Sequence, residues 1–305
     1  MNNVTWSLLT AQAQGAIAII QLQGDVTPIL ESLTGRGKWQ NNRLQLETIE
    51  GIDEVICVRL NKSLAQIMPH GSMHVIRLLE ERLHKLGVEY CESSEFPEAS
   101  TEIESKMLLA LSNSASPLAV DLLLNQPALN ESKQPSNPIR DAALNFLITP
   151  PTVVMLGASN TGKSTLMNAL TSEETSIVHD MPGVTRDAVS ARVNCHGLVI
   201  DLYDLPGIRK SDDAIEQEAI ALSKRLIEKA HLIIQVRDSE NDWIDCDSVK
   251  VIRVGTKVDT AEVPDAELQT SVHENRNIQA LAKRIREILV PDKYLEDSSP
   301  WNFKV

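Results

Sequence analysis

The run Gly157-Ala158-Ser159-Asn160-Thr161-Gly162-Lys163-Ser164 has the spacing G-x-x-x-x-G-K-[ST]. Gly157 and Gly162 let a backbone wrap round phosphates with its N–H groups pointing inward. Lys163 then supplies positive charge to the β- and γ-phosphates, the Ser164 hydroxyl is a ligand for Mg²⁺, and Asn160, Thr161, Gly162 and Thr165 complete the phosphate contacts. Asp204-Leu205-Pro206-Gly207 has the D-x-x-G pattern, in which Asp204 holds a Mg²⁺-bound water and the Gly207 N–H faces the γ-phosphate. Thr256-Lys257-Val258-Asp259 fits [NT]-K-x-D. The Asp259 carboxylate can accept from guanine N1–H and N2–H₂, a donor pair that adenine lacks, while the Lys257 stem lies along the purine. Ser271-Val272 falls where a last guanine-contacting loop belongs. Between the first two motifs, His179-Asp180-Met181-Pro182-Gly183-Val184-Thr185 reads as a switch loop whose Thr185 closes on Mg²⁺ when GTP is bound. Together the motifs imply a site for GTP and GDP.

Such loops need strands before them and helices after them. Apolar runs at 152–156, 198–203, 231–236 and 250–255 alternate with helical patterns at 163–171, 214–230 and 277–289. That alternation predicts an α/β P-loop domain, a mainly parallel sheet with helices on both faces, over 139–292. A polar, proline-punctuated stretch predicts a linker at 125–138, and 293–305 reads as a C-terminal tail. The preceding 1–124 reads as a small α+β domain, with strands at 16–22 and 55–60, a helix from Met73 to Leu86 stopped by Gly87, and an acidic loop over 92–105.

Composition narrows the partners. The 305 residues carry 29 Lys+Arg against 42 Asp+Glu, a net charge of −13 divided almost evenly between the halves. No basic field is available for nonspecific nucleic-acid or membrane binding, so RNA is expected only indirectly or through a local patch. At 3% aromatic residues, the chain also lacks the material of a base-stacking platform. Cys57, Cys91, Cys195 and Cys246 have no paired spacing, which suits a reducing compartment. Ala11-Gln12-Ala13 imitates a leader cleavage site, but Met1 to Thr10 has no Lys or Arg, and a cytoplasmic protein is expected.

Asn160 within the phosphate loop, Gly183-Val184-Thr185-Arg186-Asp187, and Asp204-Leu205-Pro206-Gly207-Ile208-Arg209 resemble the translation-factor-like GTPases, which include EngA, Era and the tRNA-modification family MnmE (TrmE). The segment Gly207 to Ala230 is most similar to MnmE, as are Gly15 to Gly24 and Pro69-His70-Gly71. The resemblance implies GTP hydrolysis with K⁺ held by Asn160 and the loop His179 to Thr185, in the role of an arginine finger. It implies that a distant glutamate, here Glu216, orients the attacking water, since Ile208 stands where other GTPases carry glutamine. A solvated acid on a helix's first turn is the other reading of Glu216. The family further implies a homodimer, a flavin-dependent partner in wobble-uridine modification, and a tetrahydrofolate derivative in the N-terminal domain.

The chain departs from that pattern. Gln21 replaces an arginine in the first strand, the segment before His70 is short, and Lys210 replaces a common glutamate. Only Asp238 to Ser248 separates two strands where a full helix is expected. No Cys follows Cys246, and the chain ends Pro300-Trp301-Asn302-Phe303-Lys304-Val305 instead of in a Cys-Ile-Gly-Lys tail, which reads as a truncated member with little helical domain. A regulatory or ribosome-assembly GTPase similar to EngA or Era, and a paralogue that binds GTP without turnover, remain alternatives.

Overall fold

The computed structural model describes residues 4–10, 15–91, 96, 99–130, 134–173, 189–205, 223–244 and 250–304. The chain forms two compact units, divided between Asn113 and Ser114.

The first unit contains β1 (Thr5–Leu8), β2 (Ile20–Gln23), α1 (Val26–Thr34), β3 (Gln45–Ile49), β4 (Asp53–Arg59), β5 (Leu64–Met68), α2 (Met73–Lys85), β6 (Glu89–Tyr90) and α3 (Glu102–Asn113). Its sheet runs β3-β4-β5-β2-β1-β6, antiparallel except for β1 and β6. Strand alternation turns Ile20, Leu22, Cys57, Ala65 and Ile67 to one face. Helical spacing brings Val26, Leu30 and Leu33 of α1, and Leu79 and Leu83 of α2, onto the same core. Gly35 ends α1 in the left-handed conformation at φ 74°, and the Ser72 side chain opens α2 by accepting from His74 N–H. The strand expected over 16–22 is β2, which starts only at Ile20; before it the run contributes an isolated bridge at Ile17. The acidic stretch 92–105 is helical from Glu102, where Glu102 and Glu104 sit in the first turn and favour the positive end of the helix dipole.

The second unit contains α4 (Ala119–Leu124), α5 (Gln126–Asn130), α6 (Pro138–Leu144), β7 (Thr152–Leu156), α7 (Lys163–Glu173), β8 (Val189–Cys195), β9 (Leu198–Asp204), α8 (223–229), β10 (Leu232–Arg237), β11 (Val251–Gly255), β12 (Leu268–Gln269), α9 (Ile278–Leu289) and α10 (Asp292–Leu295). The sheet order is β12-β11-β10-β7-β9-β8, and only β8 runs antiparallel. Val153, Val154 and Met155 of β7 and Leu232, Ile233 and Ile234 of β10 are fully buried, as central strands covered on both faces must be. Leu226 and Ile227 of α8 pack on the face that carries Val154, Leu156 and Ile233. The helices α7 and α9 pack against each other and against β8. Among the described residues no helix is long and apolar enough to cross a membrane.

The boundary between the units differs from the expected linker at 125–138. Residues 126–130 are helical, and Gln126 is only 2% exposed. Its amide donates to Leu122 O, and its Oε1 accepts from Trp301 N–H. The stretch 293–304 is likewise built into the second unit. Arg140, 1% exposed, donates to the carbonyls of Tyr294, Asp297 and Ser299. Polar composition suggested an exposed segment; a guanidinium that satisfies several distant carbonyls explains why it is buried.

Candidate functional site

Chain order reverses at β7, which has β9 on one side and β10 on the other. In an open parallel sheet this reversal leaves a crevice beyond the carboxyl ends of the strands. The phosphate-loop motif follows β7, Asp204 ends β9, and Thr256-Lys257-Val258-Asp259 follows β11.

The phosphate loop is fixed by close backbone approach. A Cβ on Gly157 would stand 2.2 Å from the Val236 carbonyl oxygen, so only glycine fits there. Gly162 has φ +87° and Asn160 φ +65°, conformations that glycine and asparagine tolerate. Lys163 opens α7 and is 8% exposed; its Nζ donates to Gly157 O (3.0 Å) and Ala158 O (2.9 Å). Burial pushes the Lys163 ammonium pKa down, and the negative charge of Asp204 opposes that shift. The Thr161 hydroxyl donates to Ala158 O at 2.9 Å.

The Ser164 hydroxyl donates to Asp204 Oδ2 at 2.5 Å. Asp204 is 8% exposed. These two hard oxygens, one from a helix start and one from a strand end, suit the oxygen-only preference of Mg²⁺. Asn160 in the loop and Thr165 in α7 are exposed, whereas Leu205 is buried at 1% exposure among Val154, Leu156 and Ile233.

The guanine loop is tied to the phosphate loop at two consecutive carbonyls. Thr256 Oγ1 lies 2.5 Å from Thr161 O, and Lys257 Nζ donates to Asn160 O at 2.6 Å. Lys257 also pairs with Asp238, just after β10, at 2.8 Å. Ser271 Oγ donates to Asp259 Oδ1 at 2.6 Å, and this bond holds the Asp259 carboxyl below its usual range. Val272 is half-buried beside Ser271. The structure therefore brings together Asn160, Thr161, Gly162, Lys163, Ser164, Asp204, Thr256, Lys257, Asp259 and Ser271. His179, Asp180, Met181, Pro182, Gly183, Val184, Thr185, Pro206, Gly207 and Glu216 lie outside the described residues. Asp238 was not singled out from sequence as a member of the site; its place at the carboxyl end of a central parallel strand was the available signal.

In the first unit, Gln21 is 1% exposed and its Oε1 accepts from Gln66 Nε2, so position 21 offers no cation to a folate carboxylate. The imidazole Nδ1 of His70 pairs with Asp53, whose carboxylate also accepts from the His70 backbone N–H.

The chain is similar to several known proteins. Residues 152–280 match the family model described as "50S ribosome-binding GTPase", and this part of the chain is a GTPase domain with a P-loop fold. The tRNA modification GTPase MnmE of Acidiphilium cryptum is 30% identical over 82% of this chain and 56% of its own length. The MnmE of Nitratidesulfovibrio vulgaris (strain DP4) is 32% identical over 67% of this chain and 42% of its own. The chain thus spans about half the length of these relatives. Among solved structures, the G domain of the T. maritima FeoB iron transporter is 27% identical, covering 45% of this chain and 98% of that chain with a TM-score of 0.35.

Proposed function

We propose, for a chain related over most of its length to the tRNA modification GTPases MnmE, that it binds GTP and hydrolyses it to GDP and phosphate. The observation that carries this reading is the convergence of the three motif loops, with Ser164 on Asp204, Lys257 on Asn160 and Ser271 on Asp259. In this reading the phosphate-loop N–H groups and Lys163 hold the β- and γ-phosphates, and Asp259 selects guanine. Nucleotide binding would draw Lys163 Nζ from the carbonyls of Gly157 and Ala158 to phosphate oxygens, trading neutral acceptors for charged ones. Mg²⁺, held by Ser164, Thr185 and, through water, Asp204, would neutralise charge on the β- and γ-oxygens. K⁺ at Asn160 and the loop 179–185 would add positive charge where an arginine finger acts in other GTPases. Glu216 would orient the attacking water.

GTP turnover measured in K⁺ and in Na⁺ tests this mechanism. Stimulation by K⁺ and its loss in Glu216→Ala are expected; turnover indifferent to both changes sinks the MnmE-type mechanism. The finer role, tRNA wobble-uridine modification with a homodimer and a flavin-dependent partner, rests on the MnmE relatives. Restored modification in an MnmE-deficient strain supports it, and failure of an expressed, folded chain to restore it defeats it. A second reading, a GTPase that gates a ribosomal particle, is favoured by the family model matched over 152–280. GTP-dependent co-sedimentation with ribosomal subunits would support that reading over the first.

A further inference from the structure

The connection that leaves β10 begins with Asp238, a carboxylate only 4% exposed. Its Oδ1 accepts from Glu240 N–H (3.2 Å) and Asn241 Nδ2 (2.6 Å), and its Oδ2 accepts from Lys257 Nζ at 2.8 Å. Burial raises the carboxyl pKa, but the bonds from Lys257, Asn241 and Glu240 outweigh it and hold the group below its usual range. Lys257 is thereby held between two acceptors, Asp238 and the phosphate-loop carbonyl of Asn160. The Lys257 backbone has φ +57°, a strained value for a long side chain that its surroundings must hold in place. The preceding residue adds a second tie, because Arg237 O accepts from the Thr256 backbone N–H at 2.9 Å.

We infer that Asp238 is a positioning residue for guanine-nucleotide binding. Its carboxylate aligns the Lys257 ammonium so that the guanine loop and the phosphate loop are locked in one register before nucleotide arrives. The inference rests on the GTP-binding reading above and deepens it, because it makes the short connection after β10 a determinant of affinity. With Asp238 ionised, the Lys257 stem is preorganised along the purine plane and loses less freedom on binding. Without it, Lys257 keeps the Asn160 carbonyl but has no fixed counter-charge, so nucleotide escapes faster.

Asp238→Asn separates positioning from support of the turn, because an asparagine Oδ1 still accepts from Glu240 and Asn241 while the charge facing Lys257 is lost. Wild type, Asp238→Asn, Lys257→Met and the double variant are compared by fluorescent-GDP dissociation and by KM and kcat for GTP, with thermal melts to verify folding. Asp238→Asn is expected to speed GDP release and raise KM by about tenfold, as for loss of a charge-assisted hydrogen bond, with the change falling on KM more than on kcat. The double variant is expected to differ little from Lys257→Met alone. Effects of the two single variants that multiply independently would overturn the inference. So would Asp238→Asn releasing GDP at the wild-type rate. If the wild-type chain itself fails to bind GDP, the GTP-binding reading falls, and this one with it. Should Asp238→Asn not fold, Asp238→Glu serves instead: it keeps the charge but extends it by one methylene, and unchanged release in that variant would equally count against a positional role.

Discussion

Single side chains at this site act through charge and through which atoms donate. Asp259 is held by Ser271 with its carboxylate ionised, so it can accept from both donors of guanine. Replacing it with asparagine turns one acceptor into a donor. The expected result for Asp259→Asn is GDP affinity weakened by about 100-fold together with a gain for xanthosine diphosphate, whose base carries a carbonyl where guanine has its amino group. Competition binding with the two diphosphates measures both changes, and an unaltered preference would remove Asp259 from base recognition. Most of these residues were legible in the sequence because their chemistry is local to short motifs. Asp238 was not, because one aspartate after an apolar strand has no distinctive spacing and its contact to Lys257 spans two loops.

Elements hold these groups in place. The phosphate loop passes so close to β10 that Gly157 admits no Cβ, and the obstructing atom is a backbone oxygen that cannot swing away. Gly157→Ala should leave the sheet assembled, as judged by far-UV circular dichroism, while GDP binding falls below detection in the same titration that saturates wild type. The start of β7 depends on a histidine. The Thr152 N–H donates to His231 Nδ1 at 3.0 Å, so the ring acts there as a neutral acceptor. Burial pushes the His231 pKa below 6.5, and the neighbouring charge of Lys250 lowers it further. The unfolded chain therefore takes up a proton that the folded chain resists. The linked stability is fully present above pH 6.5 and is lost as pH falls through that value towards the folded-state pKa. Urea midpoints between pH 7.5 and 5 should drop more steeply for wild type than for His231→Asn, whose amide oxygen can accept without titrating. Parallel profiles would show that this histidine does not govern the dependence.

At the scale of the whole molecule, stretches far apart in the chain close the second unit. The guanidinium of Arg140 serves the carbonyls of Tyr294, Asp297 and Ser299, and Gln126 holds the backbone of Trp301, itself 3% exposed. Removing the guanidinium would strand several partly buried carbonyls at once. Arg140→Ala should lower stability by about 3 kcal/mol, and Arg140→Lys should recover only part of that, because an ammonium cannot span the carbonyls that a planar guanidinium bridges. Chemical denaturation of the three proteins decides between this and a surface role, for which both changes would be near neutral.

The amino-acid sequence by itself determined that this protein carries a GTPase domain of alternating strands and helices. Phosphate, Mg²⁺ and guanine each require particular residue types at fixed short spacings, and buried parallel strands need continuous apolar runs. Only the tertiary structure decided where the units divide, that 126–130 is helical and docked, that 293–304 belongs to the second unit, and that Asp238 faces Lys257. Those outcomes depend on pairing polar groups across long separations in the chain. A buried guanidinium or carboxylate is stable only where distant partners satisfy it, and no local pattern in the sequence records which partners those are.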